Sequence, residues 1–209
     1  PYSLASFKWA GLDPATGEPM GYYNGTVSKD YSSILNKATM DDIVFSGTTR
    51  PPYFGNFINA FSFAGFTLTA NISYKFHYWF RRSALNYTTL FGQWQGNKEY
   101  EQRWQKPGDE ATTSVPALIY PANNNRDNFY VQSGITIEKA DLLKLQDASL
   151  SYTLNQMRIG KAVIKSSQLY VFATNGPILW RANKKGLDPD YGTSTPPSFS
   201  ISFGLKTTF

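Results

Sequence analysis

Residues 66–80 read Phe-Thr-Leu-Thr-Ala-Asn-Ile-Ser-Tyr-Lys-Phe-His-Tyr-Trp-Phe. Every even position is apolar or aromatic, whereas the odd positions are polar, with Trp79 as the one exception. Because successive side chains of a strand point to opposite faces, this stretch has one apolar and one polar face. Strands of soluble proteins usually contain about 5–6 residues, and a strand that crosses a bilayer contains about 9–11. Length and pattern together predict a membrane-spanning strand, aromatic outside and polar inside.

The end of the sequence repeats this pattern. From Phe199 to Phe209 the odd positions are apolar except Thr207, and the even positions are small or polar. A chain that stops on Phe after an amphipathic strand resembles the C-terminal strand of bacterial outer-membrane barrels, which implies that Phe209 is the barrel assembly signal. One such strand is equally typical of an ordinary half-buried sheet. Two such strands in one sequence favour a membrane-spanning barrel over an ordinary sheet.

Composition excludes several other classes. The 209 residues include no Cys and a single His, so thiolate sites and sites with two histidines are impossible, and we predict no metal and no cofactor. The apolar runs are too short for a transmembrane helix. The net charge of +5 is spread thinly, so the sequence gives no support for a nucleic-acid partner.

The remaining pattern predicts an all-β fold with six strands and three long loops. The strands are expected at about residues 2–10, 54–64, 66–80, 142–154, 163–175 and 198–209, and the loops at 11–52, 81–138 and 181–197. The facing of the strand at 163–175 stays open, because Tyr170 and Phe172 compete with Leu169 and Val171. Barrels have short periplasmic turns and long extracellular loops, so the final strand is expected to run towards the periplasm.

Six strands are too few to close a transmembrane antiparallel β-barrel. The smallest barrels have about eight strands, and an open edge in hydrocarbon leaves backbone groups unpaired. The sequence also starts at Pro1 without a signal peptide, although an outer-membrane protein must be exported. We therefore expect the chain to be the C-terminal part of a longer protein, or to be completed by a separate chain.

Segments between these strands carry a resemblance to one family. They include Gly-Leu-Asp-Pro at residues 11–14 and again at 186–189, for which turns are favoured over a Ca²⁺ site, and the string Arg-Trp-Gln-Lys-Pro-Gly-Asp-Glu at 103–110. The other matches, in chain order, are residues 15–22, 24–25, 28–31, 52–56 and 115–116, the single residues Tyr130 and Ser133, and residues 137–141, 145–152, 183–185 and 190–192. Over essentially its whole length the chain resembles the C-terminal region of SusC/RagA-type TonB-dependent outer-membrane transporters of Bacteroidetes.

The resemblance implies a barrel of about 22 strands around an N-terminal plug, with residues 1–209 supplying the last six. Family members take up glycans or peptides in a process driven by TonB, and a SusD-like lipoprotein covers the extracellular mouth. The implied partners are therefore the rest of the barrel and its plug, that lipoprotein, outer-membrane lipid, a glycan or peptide substrate, and TonB through the portion outside this chain. The expected location is the cell outer membrane.

Two groups of residues are candidates for contacts with substrate or with the lid protein. The first group is Arg103, Trp104, Asp109 and Glu110. It combines a planar cation, an aromatic ring and two carboxylates, and these groups can contact either a sugar or a protein surface. The competing interpretation is a self-packed loop in which Arg103 pairs with one of the acids. Adjacent acids rarely flank one substrate from opposite sides, so we expect no catalytic residue and no enzymatic activity.

The second group lies on the strand at 66–80. The polar face of this strand is expected to line the lumen with Lys75, His77 and Arg81. Trp79 is a candidate for stacking on a sugar. Tyr78 and Phe80 are expected in the lipid-facing aromatic girdle. The main alternative is a soluble or surface-exposed β-sandwich that binds carbohydrate, in which a second sheet buries the aromatic face. A small passive porin is a weaker alternative.

Overall fold

The computed structural model describes residues 2–159, 162–192 and 194–208, so the predicted signal at Phe209 lies outside the described residues. The strands are β1 Ser3–Phe7, β2 Trp9–Leu12, β3 Pro19–Tyr23, β4 Thr26–Ser28, β5 Ile43–Thr48, β6 Tyr53–Phe63, β7 Phe66–Phe76, β8 Trp79–Arg81, β9 Ile137–Lys139, β10 Leu142–Ile159, β11 Ala162–Thr174, β12 Ile178–Arg181 and β13 Ser200–Thr208. The α-helices are α1 Tyr31–Lys37, α2 Tyr87–Gln93 and α3 Asn124–Gln132, and short 3-10 helices lie at Met40–Asp42, Lys98–Gln102, Asp109–Ala111 and Gly134–Thr136. The prediction of an all-β fold is confirmed.

The chain divides into two compact units. The first contains Pro1–Arg50 and Trp79–Lys139, and the second contains Pro51–Tyr78 and Ala140–Phe209. Among the described residues, no helix is both long enough and apolar enough to cross a membrane.

The second unit is built on one antiparallel sheet, which we call the long sheet. Its strand order is β13-β11-β10-β7-β6, and β12 pairs with the first residues of β10. The 11-residue strands β6 and β7 are joined by the two residues Ala64 and Gly65, both with positive φ. A two-residue turn of this conformation matches the right-handed twist of paired strands, and glycine adopts it without steric cost.

The register of the long sheet aligns the apolar residues of all its strands. Leu68 of β7 lies opposite Phe61 on one side and Leu150 on the other. The same row continues through Val171 to Phe203. Because directly opposite residues share a face, this register settles the facing of β11. Leu169 and Val171 lie on the apolar face, and Tyr170 and Phe172 lie on the other.

Strand β7 ends earlier than the alternation predicts, at Phe76 instead of residue 80. The carboxylate of Asp141 accepts hydrogen bonds from the backbone N–H groups of His77 and Tyr78, at 2.7 and 3.3 Å. His77 has a φ of 66°, which breaks the extended conformation. Tyr78 is therefore buried, with 5% of its surface exposed, and the prediction that it joins the aromatic girdle is wrong.

The first unit has short sheets and helices where the sequence predicts one strand and two long loops. The segment predicted as a strand at 2–10 forms β1, which pairs with β5, and the start of β2, which pairs with β3. The two strands separate at Lys8, whose N–H donates to the carbonyl of Asp42. Neither strand pairs with the long sheet.

The loop residues of the first unit are ordered by buried aromatic side chains. Phe129 of α3 is fully buried and stacks on Tyr31 of α1 at 5.7 Å between ring centroids. A second cluster contains Trp104, and a third contains Tyr87. The residues just before the three helices cap them: they are Asp30, Asn86 and Asn123. Each of these side chains accepts a hydrogen bond from the backbone N–H three residues further on, which satisfies a donor that the helix itself leaves unpaired.

Candidate functional site

The apolar face of the long sheet is the largest functional candidate. It comprises Tyr53, Phe57, Phe61, Phe63, Phe66, Leu68, Ala70, Ile72, Tyr74, Phe76, Leu143, Leu145, Ala148, Leu150, Tyr152, Leu169, Val171, Ala173, Ile201, Phe203 and Leu205. Eleven of the larger members are exposed, including Phe63 at 85% and Phe203 at 79%, and the others are half-buried. The three buried apolar clusters found in the described residues all belong to the first unit. An apolar surface of this extent marks an interaction with a protein or with lipid.

Aromatic rings concentrate at the two ends of this face. At one end the ring of Phe66 lies 4.4 Å from that of Tyr152, next to the hairpin that joins β6 and β7. At the other end Phe76 lies 5.8 Å from Tyr74 and 6.3 Å from Trp180 of β12. Between the two ends most large side chains are aliphatic. This distribution matches the aromatic girdles that flank an apolar band.

The opposite face of the long sheet, the polar face, is linked by side-chain hydrogen bonds. Ser62 and Thr67 are joined at 2.9 Å, the amide of Asn71 donates to Asp147 at 2.8 Å, and Gln146 donates to Ser73 at 2.6 Å. The aromatic rings here are fewer. The ring of Tyr170 lies across the backbone of Gly204. A Cβ at residue 204 would be only 2.2 Å from this ring, so the contact requires glycine.

Both edges of the long sheet are open within the described chain. β6 pairs only with β7, and β13 pairs only with β11. Each edge therefore presents a row of backbone N–H and C=O groups to whatever lies beside it. Long, exposed, apolar edges are avoided in stable soluble monomers, so both edges are candidate surfaces for pairing with further strands.

The candidates for the lumen lining have three different environments. Lys75 lies on the polar face and forms an ion pair with Asp190 at 2.7 Å. His77 lies beyond the end of β7, where its ring meets that of Tyr53 edge-on at 6.3 Å. Arg81 lies in the first unit, where its guanidinium donates to the carbonyls of Val131 and Ala5. Of the three, only Lys75 lies on the polar face of the sheet, as the alternation of residues 66–80 predicts.

Trp79 also lies in the first unit, on the short strand β8. Its ring covers Gly47, where a Cβ would be only 2.6 Å from a ring carbon. The ammonium group of Lys139 lies 5.7 Å from the ring centroid. The indole thus packs against the chain itself, and its role as a sugar platform stays a prediction.

The segment 103–110 is a self-packed loop. The indole N–H of Trp104 donates to Glu110 at 3.0 Å, and the Trp104 side chain is buried beneath Gly17. This hydrogen bond holds the pKa of the Glu110 carboxyl below its ordinary value. Asp109 accepts from two backbone N–H groups of the loop, at 3.0 and 3.1 Å. Arg103 lies over the ring of Tyr100 at 4.2 Å and pairs with neither acid, so the loop packs on itself without the ion pair that the self-packed interpretation included.

The polar side chains of the first unit stabilise its loops. Asp42 is buried and accepts hydrogen bonds from the N–H groups of Asn24, Gly25 and Thr39, which lower the pKa of its carboxyl. Asp127 is also buried, and desolvation raises the pKa of its carboxyl. No group of three or more His, Asp or Glu side chains in the described ranges is arranged to hold a metal ion.

The sequence interpretation missed Asn56, Gln146 and Asp147, which line the polar face together. A signal for two of them exists in the sequence of β10. Leu143 and Leu145 are apolar at odd positions, whereas the alternation from Ala148 to Leu154 places the apolar residues at even positions. The change of parity corresponds to a β-bulge, because the pairing of β10 with β7 shifts by one residue between Leu145 and Asp147.

Comparison with solved structures finds the same fold in a peptide transporter. A structure of the RagAB peptide transporter matches with a TM-score of 0.70 and 22% identity over 100% of this chain. RagAB peptide importer structures in the open-open and closed-closed states match with TM-scores of 0.66 and 0.67, at 21% and 22% identity over 98% of the chain. The chain spans less than a quarter of those chains, at 22–23% of their length. No family model and no curated protein sequence matches. At this identity the matches show that the chain shares its fold with part of the RagAB structures.

Proposed function

We propose that this chain forms the C-terminal part of the barrel wall of a SusC/RagA-like TonB-dependent outer-membrane transporter. In this proposal the apolar face contacts lipid, the polar face lines the lumen, and the remaining strands pair with the open edges of β6 and β13. The transporter takes up peptides or glycans together with a SusD-like lipoprotein. Coupling to TonB resides in the portion outside this chain, and no catalytic step is assigned to any residue.

The single observation that carries the proposal is the two-faced long sheet with aromatic ends. The 11 residues of β7 rise about 3.4 Å each, which gives a strand about 35 Å long. At the usual tilt of about 45° its height is about 25 Å, the height of the apolar band of an outer-membrane barrel. The aromatic rings at Phe66 and Phe76 then lie at the two membrane interfaces.

The β-sandwich alternative is less well supported. A sandwich buries the inner faces of two sheets against each other, about 10 Å apart. Here most of the large apolar side chains on the apolar face remain exposed, and both sheet edges are open within the described chain. The similarity to RagAB chains also supports a transporter, since the RagAB structures are those of a peptide importer.

The test is a fractionation of the native protein. We expect it in the outer membrane and soluble only with detergent, in a complex that contains a lipoprotein and the rest of the barrel. Mass spectrometry of the intact complex identifies these components. Recovery of the native protein from plain buffer as a monodisperse species would refute the proposal.

Deletion of the gene then tests transport itself. The deletion strain is expected to lose growth on the peptide or oligosaccharide source that the wild type takes up, and a strain without TonB serves as the control for energy coupling. Unchanged growth of the deletion strain on every such source would contradict an uptake role.

A further inference from the structure

The polar face of the long sheet contains a groove with its own chemistry. The groove has a volume of about 510 Å³ and lies over β6, β7 and β10. Its side chains include Phe54, Asn56, Asn71, Lys75, Gln146 and Asp147. All of them come from strands that are paired over most of their length, so the rigid backbone of the sheet fixes their positions.

The β-bulge in β10 brings two consecutive side chains to this groove. Side chains of neighbouring strand residues normally point to opposite faces. At the bulge, Gln146 donates to Ser73 and Asp147 accepts from Asn71, and both partners belong to the polar face. Bulges often redirect side chains beside binding sites.

The charges around the groove leave one carboxylate without a cation. Lys75 is paired with Asp190 at 2.7 Å, and Lys144 is paired with Asp188 at 3.4 Å. Within the described part of the chain, Asp147 forms no ion pair, and its hydrogen bond comes from the neutral amide of Asn71. Two lysines and three carboxylates in and beside the groove (Lys75, Lys144, Asp147, Asp188 and Asp190) give a net charge of −1, and the unpaired carboxylate of Asp147 attracts a cationic ligand group.

The remaining groups of the groove suit a peptide. Phe54 is 70% exposed, and Ile58, opposite Asn71 on the same face, is 64% exposed. Exposed apolar side chains of this kind accommodate the aliphatic stem of a lysine or arginine, while its charged head reaches a carboxylate. The amide of Asn56, which has no hydrogen-bond partner among the described side chains and backbone groups, can both donate to and accept from a peptide bond.

We propose that this groove is a subsite for a lysine or arginine side chain of a peptide substrate, with Asp147 as the recognising carboxylate. The inference rests on the proposed function and narrows its substrate class. A neutral glycan would use the same amides but would gain nothing from the charge of Asp147. The charge dependence of binding therefore separates the two ligand classes.

The experiment uses the complete transporter complex, purified in detergent. Fluorescently labelled, end-blocked pentapeptides with either lysine or norleucine at the centre are titrated, because norleucine keeps the aliphatic stem and removes the charge. For the wild type we expect the lysine peptide to bind about tenfold more tightly, as one charge-assisted hydrogen bond predicts. Raising the salt concentration is expected to reduce this preference.

The variant Asp147→Asn is expected to lose the preference for lysine. Asp41→Asn, which removes an exposed carboxylate of the first unit, is the matched control and keeps the preference. Phe54→Ala, which removes a side chain that is 70% exposed, is expected to weaken binding of both peptides about threefold through the lost stem contact.

The outcomes separate the subsite from the transport function. An unchanged lysine preference in Asp147→Asn would overturn the subsite and leave the transporter proposal intact, as would equal binding of both peptides by the wild type. Tight binding of neutral oligosaccharides without peptide binding would also overturn it. A complex that binds no ligand and supports no uptake would instead contradict the proposed function.

Discussion

Phe57→Arg is expected to prevent assembly of the transporter in the outer membrane. Phe57 lies on the apolar face opposite Ile72, near the middle of the band between the two aromatic ends, and it is 59% exposed. An arginine near the bilayer midplane of a barrel wall costs about 2–4 kcal/mol. The loss is measured as the amount of folded protein in the outer membrane and as the denaturant midpoint in lipid vesicles.

Ile58→Arg is the matched control for this variant. Ile58 is adjacent in sequence, also apolar, and similarly exposed at 64%, but it lies on the polar face. An arginine there projects into a water-filled space and is expected to leave assembly near the wild-type level. If both variants assemble equally well, the two faces do not differ in their environment and the assignment of the apolar face to lipid is wrong.

Phe129→Ala is expected to unfold the first unit. The Phe129 ring is fully buried and is stacked on Trp9 at 6.3 Å as well as on Tyr31. It also fills the space above Gly21, where a Cβ would lie 2.6 Å from the ring. Truncation of a buried phenylalanine costs about 3–5 kcal/mol, because the cavity it leaves cannot close completely.

Limited proteolysis of the assembled transporter measures this effect. We expect cleavage of Phe129→Ala within residues 1–50 and 79–139 at protease concentrations that leave the wild type intact. Tyr120→Ala is the control, since that ring is 79% exposed and its removal leaves no cavity. Equal resistance of the two variants would show that the aromatic cluster around Phe129 does not stabilise the unit.

The alternation at residues 66–76 was sufficient to predict strand β7 and its apolar and polar faces. The period of two arises from the geometry of a strand and needs no knowledge of the partners. The facing of β11 was not predictable, because Leu169 and Val171 compete with Tyr170 and Phe172. Only the register with Leu150 and Phe203 decides between them.

The end of β7 and the organisation of the loops depend on residues far away in sequence. Asp141, 64 residues from His77, turns the backbone at the end of the strand. Helix α3 has only nine residues, and its Phe129 is buried by aromatic rings from other elements. Contacts of this kind override local propensity, which explains why the segments 11–52 and 81–138 were predicted as irregular.

The candidate site was predicted only in part for a related reason. Trp104 and Glu110 were candidates for contact with a ligand. Instead they bind each other within the loop, through a hydrogen bond of 3.0 Å. Sequence patterns indicate which residue types suit a ligand, but they do not show which of these are already paired within the chain. Asp147 became a candidate only when its neighbours were known, together with the pairing of Lys75 to Asp190, which leaves Asp147 without an ion pair in the described chain.

Cysteine accessibility in intact outer membranes tests most directly whether side chains of one strand meet water on one face and acyl chains on the other. The sequence has no cysteine of its own, and Ser202 and Phe203 are consecutive, exposed residues of β13 on opposite faces. A small water-soluble maleimide is expected to label Ser202→Cys readily and Phe203→Cys only after the membrane is dissolved and the protein unfolded. Ready labelling of Phe203→Cys in the intact membrane, with Ser202→Cys protected, would contradict the account.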